Sequence, residues 1–184
     1  MGCIFAVPST VQQTKPVTGS LVVGNAYPED VPAIAGIFGP YALESAVTFE
    51  TVPLTEREWL DRLQAAREVG HPFLVASFES TVIGYAYVTH WRTKPAYSRT
   101  VENSIYLDPA HSGRGYGRIL LTELLDASAA AGMREVIAVI ADGGSAASKA
   151  LHRSVGFAEV GRLQRVGYKH GRWIDTVLMQ RSLE

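Results

Sequence analysis

The stretch from Ile105 to Leu125 constrains this chain more than any other. A strand-like Ile105-Tyr106-Leu107 runs into Asp108-Pro109-Ala110-His111, then Ser112-Gly113-Arg114-Gly115-Tyr116-Gly117, then a helix-patterned apolar segment. Glycines at 113, 115 and 117 permit positive φ and close backbone approach. Amides opening a helix, with Arg114 and Arg118 beside them, form an anion cradle suited to a pyrophosphate. A turn that merely caps a helix is the bland alternative. Three alternate glycines, two arginines and the strand-loop-helix context outweigh it. A Walker loop would end in Gly-Lys-Ser/Thr, and a dinucleotide fingerprint would need glycine where Arg118 stands. The loop fits neither nucleotide motif.

The rest of the chain reads as a single α+β domain. Its 184 residues compare with about 150 per domain. Leu21-Val22-Val23 suggests a first strand, and Pro28-Glu29-Asp30 opens a helix carrying Val31, Ile34, Ala35 and Phe38. Thr55 to Val69 is a second helix, with Thr55 and Glu58 as a capping box, Leu60 and Leu63 toward the core, and Gly70 as its stop. Phe73–Phe78 and Thr81–Trp91 read as a hairpin around Glu79-Ser80, and Val101–Leu107 as a further strand. Arg114–Ala131 is the strongest helix, with Leu120, Leu121, Leu124 and Leu125 as its buried stripe. Glu135–Ala141 has the composition of a central strand, and Ala146–Val155 that of a helix. Ala158–Gln180 reads as strands turning at His170-Gly171.

Composition narrows the functional classes. A net charge of −1 argues against coating nucleic acid or anionic lipid, which needs clustered positive charge. The single cysteine, Cys3, allows neither an intramolecular disulfide nor a Cys-cluster zinc site. Residues 1–20 are expected to be a disordered polar lead-in to a domain over 21–184. They carry no basic n-region, since the first basic residue is Lys15, and Ala6 replaces the Ser or Thr of a myristoylation signal. No stretch approaches the roughly 20 apolar residues of a membrane span. Cytoplasmic placement, without membrane or nucleic-acid partners, is the expectation.

The loop Ser112–Gly117 resembles the Gln/Arg-x-x-Gly-x-Gly/Ala motif of the GNAT superfamily of N-acetyltransferases. Val101–Leu107, Leu151–Phe157 and Gly167–Asp175 are similar to one branch, the phosphinothricin/methionine sulfoximine acetyltransferases. The resemblance covers Leu21 to the C-terminus. It implies a GNAT fold, a central, mostly antiparallel mixed sheet flanked by helices. It also implies acetyl-CoA as co-substrate, a small amino-acid-like amine as acceptor, and a homodimer with acceptor sites near the subunit interface.

Chemistry tests these implications residue by residue. An ammonium has no lone pair, so an amine attacking a thioester needs a base. By resemblance Glu102 is that base and lines the amine site with Asn103 and Ser104, while His152 is a second acid/base. A surface-strand glutamate and a satisfied structural histidine are the bland alternatives. The resemblance implies that the backbone of Ile105, Tyr106 and Leu107 pairs with the pantetheine arm like an added strand. Likewise the Ser112, Gly113, Arg114, Gly115, Tyr116, Gly117 and Arg118 loop holds the pyrophosphate, and Ser145 and Ser148 touch the lower pantetheine. By the same resemblance Phe49 and the cluster Trp91, Arg92, Thr93, Lys94 and Tyr97 fall in the acceptor region, where a cation can pair with a carboxylate. Three positions depart from the pattern: Ser112 replaces Gln or Arg, Ser145 replaces Asn, and Lys94 replaces Arg. A flexible ammonium does not reproduce bidentate carboxylate recognition. His71, His90, His111 and His170 show no metal-binding spacing, and acyl transfer to an amine needs only base, orientation and a polarised carbonyl. Acetylation of proteins or peptides is the alternative within the enzyme class. A non-catalytic CoA sensor is the alternative outside it, disfavoured because a sensor needs neither Glu102 nor His152.

Overall fold

Alternation of apolar and polar residues sets the strands, and their register sets where the sheet opens. The computed structural model describes residues 20–143 and 146–183. The strands are β1 (Leu21–Asn25), β2 (Phe73–Phe78), β3 (Thr81–His90), β4 (Thr100–Leu107), β5 (Glu135–Ala141), β6 (Ala158–Lys169) and β7 (Arg172–Ser182). The helices are α1 (Val31–Glu44), α2 (Glu56–Glu68), α3 (Tyr116–Ala130) and α4 (Ala146–Ser154). Together the strands form one sheet in the order β1-β2-β3-β4-β5-β7-β6. Every neighbouring pair is antiparallel except β4 and β5. This is the expected α+β class, a mostly antiparallel mixed sheet flanked by helices.

The parallel pair is the break in the sheet. β4 and β5 are in register only at Thr100↔Glu135, Val101↔Val136 and Glu102↔Ile137. Beyond Glu102 they diverge, while β4 stays paired to β3 as far as Leu107 and β5 stays paired to β7 as far as Ala141. A wedge therefore opens between two well-supported strands.

Each face of the sheet has its own core. Leu120, Leu121, Leu124 and Leu125 of α3 are at most 1% exposed and pack with Val101, Val136, Ala138 and Met179. Truncating one of these leucines to Ala costs about 2–5 kcal/mol. On the other face α1 and α2 enclose aromatics: Phe38, Trp59, Phe73, Tyr85 and Tyr87 are buried together, with Tyr106 packed against them. Trp59 meets Phe38 and Tyr85 edge to face, each at 5.3 Å between centroids.

Several sequence expectations shift. Leu60 is not a core residue: at 36% exposure it faces outward, and Trp59, Leu63 and Ala66 form the buried stripe of α2. Pro28 opens a separate 3-10 turn, Pro28–Asp30, and α1 starts at Val31. The strongest helix begins at Tyr116 rather than Arg114, because Gly115 at φ 83° is its left-handed N-cap. The capping box of Thr55 and Glu58 forms as expected, and the turns at Glu79-Ser80 and His170-Gly171 adopt positive φ. Residues 1–19 lie outside the described residues.

Candidate active site

The glycine loop supplies an open helix end. Asp108 accepts from the Ala110 amide at 2.9 Å and orders the turn that precedes the loop. Gly115 brings no side chain to cap α3, which leaves the Tyr116 and Gly117 amides for an anion, while the Arg118 amide donates to the Gly115 carbonyl at 3.1 Å. Gly117 permits close packing of α3 on β4, since a Cβ there would sit 3.0 Å from Leu107 Cδ1. Ser112, Gly113, Gly115, Gly117 and Arg118 line a cleft of about 940 Å³ that runs into the wedge between β4 and β5. Tyr116 turns away and stacks on Phe78 at 5.7 Å, so only its backbone can serve a ligand. The Arg114 side chain is exposed and outside the lining.

Along the wedge, Asn103 to Leu107 have no β5 partner in the ladder and border the cleft with Ala138 to Ala141. Tyr41 of α1 donates to the Leu107 carbonyl at 2.6 Å. Strand alternation divides the side chains of β4 between the faces. Val101 and Ile105 join the α3 core, while Tyr106 joins the aromatic core. Glu102 and Ser104 therefore share the aromatic face, and Asn103 the opposite one.

Glu102 and His152 occupy different environments as a result. Burial pushes the Glu102 carboxyl above the usual carboxylate range, and the Arg92 guanidinium partly opposes this. A carboxylate of raised basicity suits proton abstraction from an ammonium. His152, 2% exposed, has its Nδ1 at 2.8 Å from the Ser148 carbonyl. A carbonyl can only accept, so Nδ1 carries the hydrogen and Nε2 the lone pair. That lone pair accepts from Asn103 Nδ2 at 3.0 Å. Burial holds the imidazole below its usual pKa, with the Ser148 bond opposing. Asn103 Oδ1 and Thr176 Oγ1 are buried without hydrogen-bond partners among the described residues, and both residues line the cleft. Such orphaned polar atoms suit a ligand that brings N–H or O–H groups.

The remaining wall comes from distant parts of the chain. Thr48, Phe49 and Glu50, from the segment between α1 and α2, line the cleft with Arg62 and Tyr87. Arg62 donates to Tyr87 Oη at 3.2 Å and to Glu50 Oε1 at 3.1 Å. Sequence reasoning found Phe49, Glu102, Asn103, Ser104 and Ser148, which all border the cleft. It missed Tyr41, Thr48, Glu50, Arg62, Tyr87 and Thr176, which carry no local motif. Arg92, Thr93, Lys94 and Tyr97 are exposed and outside the cleft lining. The structure therefore does not gather that cluster into the site, although Arg92 acts electrostatically on Glu102. Ser145 lies outside the described residues. Among the described residues, no three His, Cys, Asp or Glu side chains converge as a metal site.

Comparison with known proteins gives this geometry its context. Residues 25–178 match the model of the acetyltransferase (GNAT) domain. The chain belongs to the GNAT acetyltransferase family. This GNAT chain is an N-acetyltransferase, as are its named relatives. It is 42% identical to a phosphinothricin N-acetyltransferase of Alcaligenes faecalis, over 84% of this chain and 79% of that protein. It is 36% identical to an L-methionine sulfoximine/L-methionine sulfone acetyltransferase of Salmonella typhimurium, over 84% and 90%. The crystal structure of a phosphinothricin acetyltransferase from Sinorhizobium meliloti, in complex with acetyl-CoA, superposes with a TM-score of 0.83. That protein is 41% identical, over 88% of each chain. Among the described residues, no helix is long and apolar enough to cross a membrane.

Proposed function

We propose that this GNAT chain transfers acetyl from acetyl-CoA to the amine of a small amino-acid-like acceptor of the phosphinothricin or methionine sulfoximine type. The observation that carries the reading is the wedge beyond Glu102. It joins an uncapped α3 N-terminus at one end to a half-buried carboxylate at the other, with β4 backbone that has no β5 partner between them. The names of the relatives at 42% and 36% identity support the acceptor class.

In this reading the amides of Gly113 to Arg118 hold the donor's pyrophosphate, and Ile105 to Leu107 pair with its pantetheine arm. Glu102 takes a proton from the acceptor ammonium, directly or through one water. The freed nitrogen lone pair then attacks the thioester carbonyl carbon. As the tetrahedral centre collapses, the C–S bond breaks and its electron pair leaves on sulfur. The second nitrogen proton neutralises that thiolate, so the products are the N-acetylated acceptor, the CoA thiol and a protonated Glu102. His152 can accept a proton at Nε2 only by giving up the Asn103 bond. We therefore assign it first to holding Asn103, whose carbonyl is left for a ligand N–H. Arg92 lies outside the cleft lining but acts electrostatically on Glu102, and is the cation we assign to the acceptor carboxylate. A second copy is the proposed partner, as the resemblance implies. Exposed Val160, Leu163, Val166, Tyr168 and Trp173 on β6 and β7 support it, being 46–61% exposed.

Thiol release from acetyl-CoA tests the reading. The acceptors are phosphinothricin, methionine sulfoximine, methionine sulfone, common amino acids, polyamines and short peptides. Turnover confined to the amino-acid-like amines is the expected result. Preference for peptides would move the acceptor class, and acetyl-CoA binding without turnover of any amine would count against catalysis.

A further inference from the structure

Lys169 is a buried cation that none of the steps above employs. It closes β6 at 4% exposure. Its ammonium donates to the Thr48 carbonyl at 2.9 Å and to the Glu50 carbonyl at 2.7 Å. Both acceptors belong to the segment between α1 and α2 that carries Phe49 along the cleft wall. A charge removed from water needs compensation: two neutral carbonyls provide its hydrogen bonds, and the Glu50 carboxylate, paired with Arg62 at 3.1 Å, favours it through space. Burial accordingly lowers the lysine pKa from its ordinary value. Two residues earlier Gly167 makes room for the same segment, since a Cβ at that position would overlap the Phe49 ring. Beyond the hairpin turn, Arg172 donates to the Gly143 carbonyl at 3.1 Å, in the loop that follows β5.

We propose that Lys169 and Gly167 are positioning residues for the acceptor: together they fix Thr48, Phe49 and Glu50 as the amine-side wall of the cleft. The β6–β7 hairpin thereby sets acceptor selectivity without touching the reacting atoms. This rests on the assignment of that wall to the acceptor. The segment contributes four cleft residues in a row, Val47 to Glu50, yet α1 ends before it and α2 begins after it. Its hold on the sheet includes the ammonium on its carbonyls and the ring on Gly167.

The test uses the full-length enzyme in three variants, K169M, K169A and G167A. Amide hydrogen exchange without acceptor reads positioning directly. In K169M, residues 47–51 are expected to exchange about 10-fold faster while residues 113–118 are unchanged. Steady-state kinetics then read the acceptor role. K169M is expected to raise the acceptor KM about 10-fold with the acetyl-CoA KM within about 2-fold, and methylammonium is expected to restore part of that loss in K169A. G167A displaces Phe49 without removing the buried charge. It is expected to change the ranking of acceptors at unchanged acetyl-CoA affinity, so the proposal does not depend on a lysine variant folding. Unchanged exchange in residues 47–51 overturns the positioning role. Faster exchange with unchanged acceptor KM and ranking overturns the selectivity role. Should the parent enzyme turn over no amino-acid-like amine, the acceptor assignment fails, and the exchange result still decides for or against Lys169 as the holder of this wall.

Discussion

At the end assigned to the pyrophosphate the cleft is lined from one short stretch of chain, by Ser112, Gly113, Gly115, Gly117 and Arg118, folded by its own glycines and by the start of α3. At the end assigned to the amine it is assembled from Thr48 to Glu50, Arg62, Tyr87 and Glu102, with Lys169 holding the first of these from the far end of the chain. The difference follows from what each end must recognise. A pyrophosphate presents the same charge in every complex, and main-chain donors at a helix terminus meet it wherever the backbone turns correctly. An acceptor must be distinguished from other amines, and side chains from separate elements can vary independently around it.

Substitution of Glu102 by Gln separates the two ends most severely. It is expected to lower kcat by about 100- to 10,000-fold while acetyl-CoA affinity, read by calorimetry, stays within about 2-fold of the parent. The pH dependence carries a definite sign. The base must be ionised to act, and burial raises its pKa, so kcat/KM is expected to fall on acidification at a pH above the ordinary carboxylate range. That acid limb is expected to vanish in E102Q. Stability runs the other way. A raised folded-state pKa favours folding below the unfolded pKa, and this contribution is lost as pH rises through the folded value. E102Q is therefore expected to melt above the parent at neutral pH, with the gap closing in acid.

Smaller effects sharpen the contrast. Asn103→Ala leaves the buried His152 Nε2 without its donor. A loss of about 1–3 kcal/mol is expected in urea unfolding, and a cycle with His152→Ala is expected to give less than the sum of the two single losses. Gly115→Ala forces an alanine into φ 83°, at about 1–2 kcal/mol. It is expected to weaken acetyl-CoA binding and leave the acceptor KM alone. Arg62→Met is expected to be the mildest, since the Arg62–Glu50 pair is 38% and 43% exposed. Exposed pairs contribute about 0.2–1 kcal/mol. Its effect is expected on the acceptor KM and not on acetyl-CoA; a change confined to acetyl-CoA would remove Arg62 from the amine end.

What could be read in advance follows the same division. The capping box at Thr55 and Glu58, the leucine stripe of α3 and the turn at His170-Gly171 depend on residues a few positions apart, and all three form. Leu60 was misplaced because Trp59 fills the aromatic core next to it, and which of two adjacent apolar residues points inward depends on what lies opposite. Arg92, Thr93, Lys94 and Tyr97 belong to a recognisable segment, yet the fold leaves them outside the cleft lining. Arg62 offered no signal at all. A lone arginine on an amphipathic helix is ordinarily a solvated residue, and only the approach of Tyr87 and Glu50 makes it part of a wall.

By itself the sequence determined the elements and the glycine loop, because helix caps, strand alternation and positive-φ turns are set by neighbours in the chain; Glu102 was singled out by resemblance to a family. Tertiary structure alone decided that β4 and β5 part after Glu102, and that Lys169 reaches back to Thr48 and Glu50. Those outcomes depend on which strands find each other across 27 residues of intervening chain, from the end of β4 at Leu107 to the start of β5 at Glu135 in the first case. They depend also on whether a buried ammonium finds carbonyls to replace its water. Both are settled by packing, which no local pattern encodes.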